Sequence, residues 1–570
     1  MSFRRVGWLA AIAVVALIEI SCGDIYRPVV IPVSNTPPNP ANFHAVFAIS
    51  ANAPSNPGTA LQIDVSGDSN IGAANMGVNP THSAIAPNNA RVYVASAGSL
   101  FPGNSDVVTA FSPAVDSSSG SGLGTVITFS LPNGSLPVFV NTTQNSALYV
   151  ADYGTNSVSA INTSLGVVAQ TAAVGVNPVA LVEMPDSQHL YVVNQGDNTV
   201  SDVSTTDLST VAVVPVGKTP VWAVSRPDSQ RIYVVTQGDG QLYTIRTDTN
   251  AVVSSQPVGG PGANFVLYDK SRNRLYVTNP SAGAVYIFSA LADPPTPLGT
   301  VTIPAPAISA TATNCATYTC TYSPVMPVSV APLPDGSRFY VASYFTGTAS
   351  LAANPDTCPD ITGTTATPGC VIFQLSVFDA ASLAPKTTVF PLLSPVAGVQ
   401  SFAVAPVGFC APAVPYTPSK ARFRMSVAGA ADSSHAYVSM CDARSIADIN
   451  ATTSTIASGG TNTPDVLVTD LNPPFAFGAG STITSFSITS NVVTFQAANT
   501  FSVGESVTIS GLTNGSYLNG QTLTVLATGL SGAQFECSFT HADVPPTSDA
   551  GGAAPVNAVP QNPLFLMTGQ

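Results

Sequence analysis

Charge is scarce in this chain. Asp, Glu, Lys and Arg make up 8% of its 570 residues, against about 25% in an ordinary soluble domain, so solubility rests on uncharged polar side chains. What charge exists leans acidic, with 17 Lys and Arg against 30 Asp and Glu and a net charge of -13. No basic cluster is present to displace the counterions of a phosphate backbone, which argues against nucleic acid as a partner. Histidine is sparse too: His44, His82, His189, His435 and His541 are all there are. Glu183 is the only glutamate between the leader and Glu505, and an isolated carboxylate is weak support for acid–base work. No Gly-x-Ser-x-Gly elbow, phosphate-binding loop or paired metal-ligand motif appears. No cofactor, metal or catalytic residue is therefore assigned. Helical periodicity is missing as well, and 48 prolines with 44 glycines argue against helices.

The N-terminus carries an address. Arg4 and Arg5 precede the apolar run Val6 to Ile18, too short for a membrane span of about 20 residues but fitting a secretory signal. Cys22 directly follows this region and resembles the lipidated cysteine of a bacterial lipobox. Glu19 departs from that motif, so a plain secreted protein stands as the alternative to lipid anchoring. Residues 23–43 hold Pro28, Pro32, Pro37, Pro38 and Pro40 and read as an extended tether.

Between Asn177 and Gly259 one phrase is repeated. Asn177-Pro-Val-Ala-Leu-Val, Pro185-Asp-Ser-Gln and His189-Leu-Tyr-Val-Val are answered by Thr219-Pro-Val-Trp-Ala-Val, Pro227-Asp-Ser-Gln and Arg231-Ile-Tyr-Val-Val, with Tyr191 and Tyr233 standing 42 positions apart. A fixed period of this size marks a modular array. Weaker copies centre on Tyr93, Tyr149, Tyr276, Tyr340 and Tyr437, with Phe47 as a degraded member. In the clearest unit four short apolar segments, 179–182, 190–193, 199–203 and 210–214, are joined by Asp, Asn, Gly and Pro turns. Four antiparallel strands per repeat make one blade of a β-propeller. His189 and His435 exchange with Arg231 and Arg274 at one offset and read as solvated turn neighbours. Asp186, Asp228 and Asp335 recur in Pro-Asp turns, which is turn chemistry.

These units resemble the YVTN-type β-propeller repeat of bacterial and archaeal surface proteins, and Tyr276-Val-Thr-Asn279 spells its signature. The resemblance covers roughly residues 42–470 and implies an all-β propeller of four-stranded blades, placed at 44–470. Strand accounting gives eight blades, or seven if one diluted unit is misread. The segment 463–468 is expected to supply the missing first strand of the closing blade. The terminal segment 563–567 competes with 46–50 for its second position. Residues 481–547 alternate apolar and polar side chains around Gly-Asn turns and read as a small all-β module near the ring closure, followed by a linker and terminal strand over 548–570.

Seven cysteines follow Cys22. Spacing in an exported chain suggests Cys315 with Cys320, Cys358 with Cys370, and Cys410 with Cys441, leaving Cys537 odd. All six lie in enlarged connections that open on one face of a propeller, beside Tyr153, Gln195 and Gln237 in equivalent loops between second and third strands. This face is the candidate ligand surface. The favoured expectation is an exported, lipid-anchored propeller that binds or scaffolds a protein or polysaccharide at the cell surface. The alternatives are a propeller enzyme of lactonase-like or quinoprotein-like type, and a structural envelope protein.

Overall fold

The repeat phrase folds as the pattern predicts. In its clearest copy the strands are Pro178–Glu183, His189–Asn194, Thr199–Ser204 and Thr210–Pro215, hydrogen-bonded in that order as an antiparallel sheet. The turn between the first two is set by its aspartate. Asp186, Asp228, Asp335 and Asp432 each accept at Oδ1 the backbone N–H two residues on, at 3.0, 3.0, 2.8 and 2.9 Å. The residue in between is left-handed, with φ of 57° at Ser187, 61° at Ser229, 68° at Gly336 and 64° at Ser433. Serine there also ties blades together: Asp186 N–H donates to Ser229 Oγ at 2.9 Å, and Asp335 N–H to Ser433 Oγ at 3.0 Å.

The computed structural model describes residues 45–52, 56–65, 69–113, 126–143, 147–305, 319–351, 354–358, 367–368, 370–389, 392, 403–404, 409–443, 445–451, 475–476, 481–499, 501, 506–555 and 561–568. Among them, eight propeller sheets form, seven of four strands and one enlarged to eight. With blades numbered from the one that holds Ala45–Asn52, the first strands are Gln561–Thr568, Pro80–Ile85, Pro137–Asn141, Pro178–Glu183, Pro220–Ser225, Phe265–Asp269, Met326–Pro332 and Met425–Gly429. Each touches the next, and the last returns to the first. The fold is an eight-bladed β-propeller.

The tyrosine of each phrase explains why the blades cohere. Tyr93, Tyr191, Tyr233, Tyr276, Tyr340 and Tyr437 are the largest fully buried side chains, wedged between adjacent sheets. Tyr437 of blade 8 packs with Val46, Leu61 and Ile63 of blade 1, and Phe47 of blade 1 packs with Val92 and Phe111 of blade 2. Burying such an aromatic contributes about 2–3 kcal/mol.

Three details depart from expectation. The terminal strand Gln561–Thr568 takes the first position of the closing blade, pairing with Ala45–Asn52, which keeps the second. The segment 463–468, expected in that place, lies outside the described residues. The enlarged connection of blade 7 is not structureless: Arg338–Leu351 and Cys370–Asp379 extend as a long hairpin that recruits Thr319–Tyr322, Asn354–Cys358, Thr367–Pro368 and Ala403–Val404. The C-terminal module forms a six-stranded sheet, with Val544–Pro555 pairing between Ser506–Ser510 and Ser481–Thr489, so its sheet runs past residue 547.

Candidate functional site

One repeat position turns inward at the channel. It pairs with the residue two places after the tyrosine or its equivalent, and holds Phe565, His82, Phe139, Ala180, Trp222, Phe265, Ser329 and Ser426 in blades 1 to 8. In six blades a register shift falls beside it, and such bulges re-aim a side chain. The aromatic members meet. His82 stacks on Phe139 with ring centroids 3.6 Å apart, Phe139 meets Trp222 edge-on at 5.1 Å, and Trp222 meets Phe265 at 5.0 Å. Phe565 stands 6.1 Å from His82, and Phe423 packs on Trp222 and Phe265, both at 5.6 Å.

A cation crosses this ring. Arg422 precedes the first strand of blade 8, yet its Nη2 donates to Val179 O at 2.6 Å and its Nη1 to Val221 O at 3.4 Å, in blades 4 and 5. Its guanidinium lies 5.6, 5.2 and 4.3 Å from the ring centroids of Phe139, Trp222 and Tyr416. Among the described residues no carboxylate pairs with it, and its buried Nε has no hydrogen-bond partner. Burial and the nearby Arg422 charge hold the His82 imidazole well below its ordinary pKa. His82 Nδ1 accepts the Val140 N–H at 3.3 Å, which leaves the proton of the neutral ring on Nε2.

The segment 409–424 forms a strap over the mouth. Cys410 is disulfide-bonded to Cys441, with Cα atoms 5.8 Å apart, and Ala421 N–H donates to Phe409 O at 2.9 Å. Asn79 Nδ2 holds the strap at Pro418 O, 3.0 Å away. At the strap's root Arg424 and Asp442 form a buried ion pair at 3.0 Å.

The sequence-derived candidates fall around this strap. The Gln195 carboxamide faces the Tyr416 peptide, and in the orientation that pairs both ends it donates to Tyr416 O at 3.1 Å and accepts from Tyr416 N at 3.3 Å. Tyr153 packs against the same apolar cluster as Tyr416. Gln237 is buried, and its Oε1 has no hydrogen-bond partner. The strap and Gln195 thus occupy each other, so this candidate is not free for an external ligand. Cys370 is disulfide-bonded, while Cys22, Cys315 and the side chains of Cys320 and Cys358 lie outside the described residues. Cys537 is free and buried, and burial pushes its thiol up to about 12.

His189 is not merely solvated: its Nδ1 lies 2.9 Å from Oδ1 of buried Asp202. Asp202 Oδ2 also accepts from Asn250 Nδ2, and Asn250 Oδ1 accepts from Tyr191 OH, both at 2.7 Å. This chain joins blades 4 and 5. Glu183 is buried and accepts the Thr143 N–H at 2.7 Å, a structural role.

No family profile matches the chain, and no curated protein matches it in sequence. Solved structures do resemble it. A Myceliophteria thermophila Cps50 (Swd1) β-propeller domain is 9% identical, covering 64% of this chain and 93% of its own, with a TM-score of 0.40. The Pseudomonas aeruginosa periplasmic gluconolactonase is 14% identical, covering 61% and 99%, with a TM-score of 0.40. A dihydro-heme d1 dehydrogenase is 12% identical, covering 72% and 71%, with a TM-score of 0.47. These likenesses concern the propeller alone. At such scores they carry no argument about chemistry, and the blade count rests on strand pairing.

Sequence reasoning missed His82, Phe139, Trp222 and Arg422. A signal existed in the phrase itself: Pro178-Val179 and Pro220-Val221 agree, and the next position changes from the small Ala180 to the large Trp222. A position that varies inside an otherwise constant repeat is released from the common packing.

Proposed function

We propose that the protein is an exported binding or scaffolding propeller of the YVTN type, lipid-anchored through Cys22, which presents its loop-bearing face to a protein or polysaccharide at the cell surface. The observation that carries this reading is the disulfide-pinned strap. Where a propeller enzyme would admit substrate, the chain seats its own residues, and Gln195 faces the strap's Tyr416 peptide. The same face bears the long hairpin of blade 7. A rigid, weakly charged, loop-rich face suits recognition of an uncharged polar partner, where hydrogen bonds rather than ion pairs set the fit.

The test is capture of envelope proteins and polysaccharides by the full chain and by a variant whose blade 7 hairpin is cut back to a short turn. Capture should be lost while the melting transition persists. Retained capture would place recognition elsewhere. Radiolabelled palmitate incorporated in the wild type and absent from Cys22→Ala tests the anchor.

The alternative of a lactonase-like or quinoprotein-like enzyme has one observation in its favour, the convergence of His82 and Arg422. Against it, His82 Nδ1 is engaged by backbone, and among the described residues no carboxylate stands beside the pair to complete an acid–base couple. Among the described residues no group of three His, Cys, Asp or Glu is placed to hold a metal. Turnover of a sugar lactone by the wild type, lost in His82→Phe, would support this reading over the first.

A further inference from the structure

We infer that the outer wall of blades 3 to 6, centred on blade 4, is a docking surface for a second copy of this chain. Exposed apolar side chains gather there. Val167, Val211, Val213, Val252, Val253 and Leu298 are all solvent-exposed and sit on the outermost strands of four consecutive blades, Val167–Ala173, Thr210–Pro215, Ala251–Pro257 and Thr296–Thr302. Each strand ends its sheet. Gln170 Nε2 donates to Asp207 O of blade 4 and Gln256 Nε2 to Pro295 O of blade 6, so neighbouring stretches of the wall are joined. An apolar patch of this kind, on a surface otherwise kept soluble by polar side chains, marks a place of contact. Blade 7 shows the ordinary guard for an outer strand, a lysine, with Lys386 in Pro385–Val389. The four strands of this wall carry no charged residue and no aromatic one.

Composition selects the occupant. A bilayer surface is met by Trp, Tyr, Lys and Arg, and an oppositely charged protein by charge, and the wall offers neither. Its side chains are mostly short and make a flat patch that matches its own copy. With a net charge of -13, two copies repel along most approaches, and an uncharged wall avoids that repulsion. Charge also sets the direction. Asp207 precedes the blade 4 strand and Lys218 follows it, both exposed, and neither has an ion-pair partner among the described residues. Antiparallel approach turns unlike charges toward each other at both margins, whereas parallel approach turns like toward like. The two-fold axis falls beside Val213, the most exposed valine of the wall at 56%. A bulge at Val211 and the missing N–H of Pro215 blunt backbone pairing, so side chains make the contact. Four strands supply the about 20–30 residues that one side of a stable interface uses.

The test is sedimentation velocity of the full chain carrying Cys22→Ala, which keeps a lipid from driving association, over a range of concentrations. It should sediment as a monomer in equilibrium with a dimer. Val213→Lys and Val213→Asp, both at an exposed position and each added to Cys22→Ala, should sediment as folded monomers. An equimolar mixture of the two should recover the dimer, because residue 213 of one copy meets residue 213 of the other. A parent chain that stays monomeric at every concentration would overturn the proposal, as would dimers that persist in both variants or a mixture that recovers none. A monomer that floats with phospholipid vesicles would assign the wall to lipid, which overturns it equally. None of these outcomes depends on whether the loop face captures a partner.

Discussion

Asp152 stands where two other blades place an asparagine, Asn194 and Asn279, each three residues after its tyrosine. Its carboxyl is fully buried, Oδ2 accepts from Ser159 Oγ at 2.6 Å, and Oδ1 has no partner. Burial, with a smaller push from the Asp106 charge, raises it to about 7, against 3.8 ordinarily. Because the folded state holds this proton more tightly, the group's stability contribution is full below about pH 4 and is lost as pH rises through about 7. The whole effect is on the order of 4 kcal/mol at most. Asp152→Asn should therefore raise the melting temperature at pH 8, leave it nearly unchanged at pH 4, and flatten the profile between. An unchanged profile would contradict this assignment. Cys537 offers a second check at the same level: with its thiol pushed up to about 12 by burial, it should resist alkylation at pH 8 until the module unfolds. Rapid labelling of the native protein would count against its buried place. Neither property was legible beforehand, since an Asp in an Asn column and an odd cysteine carry no mark of burial.

The strap and the network between blades 4 and 5 are elements whose parts come from distant stretches. Removing the staple with Cys410→Ser should lower stability by about 3 kcal/mol, read as a fall in the urea midpoint, and should expose 409–424 to proteolysis before the blades. If the strap stays protected, Asn79 and Gln195 suffice to seat it. Asn250→Ala removes a donor to Asp202 and an acceptor for Tyr191 OH. It should destabilise by roughly 2 kcal/mol, whereas Tyr191→Phe, which removes one hydrogen bond, should cost about 1 kcal/mol. The strands and Asp turns were readable because each follows from residues adjacent in sequence. The strap was not, because Arg422 reaches blades 4 and 5 from the entry to blade 8, and nothing local announces a contact across the ring. His189 was misread for the same reason: its exchange with arginine among repeats concealed a carboxylate partner 13 residues on.

The closed ring is the property of the whole molecule. Eight blades were recoverable from the tyrosine period, but the closing strand was not: the apolar segment 463–468 reads as the first strand, and 563–567 reads only as a rival of 46–50 for the second position, because an apolar run carries no mark of which edge it will pair with. Strand Gln561–Thr568 closes it by pairing with Ala45–Asn52, which joins the two ends of the described chain and removes a free sheet edge. Truncation after residue 560 should lower the melting midpoint by roughly 10 °C or more. The central claim is that the loop-bearing face recognises a partner while the strap shuts the mouth. Hydrogen–deuterium exchange of the full chain with and without native envelope material tests it most directly. The account predicts new protection at Thr319–Tyr322, Asn354–Cys358 and residues 409–424, with the turns 185–188 and 227–230 on the opposite face unchanged. Protection confined to those turns, or none at any segment, would contradict it.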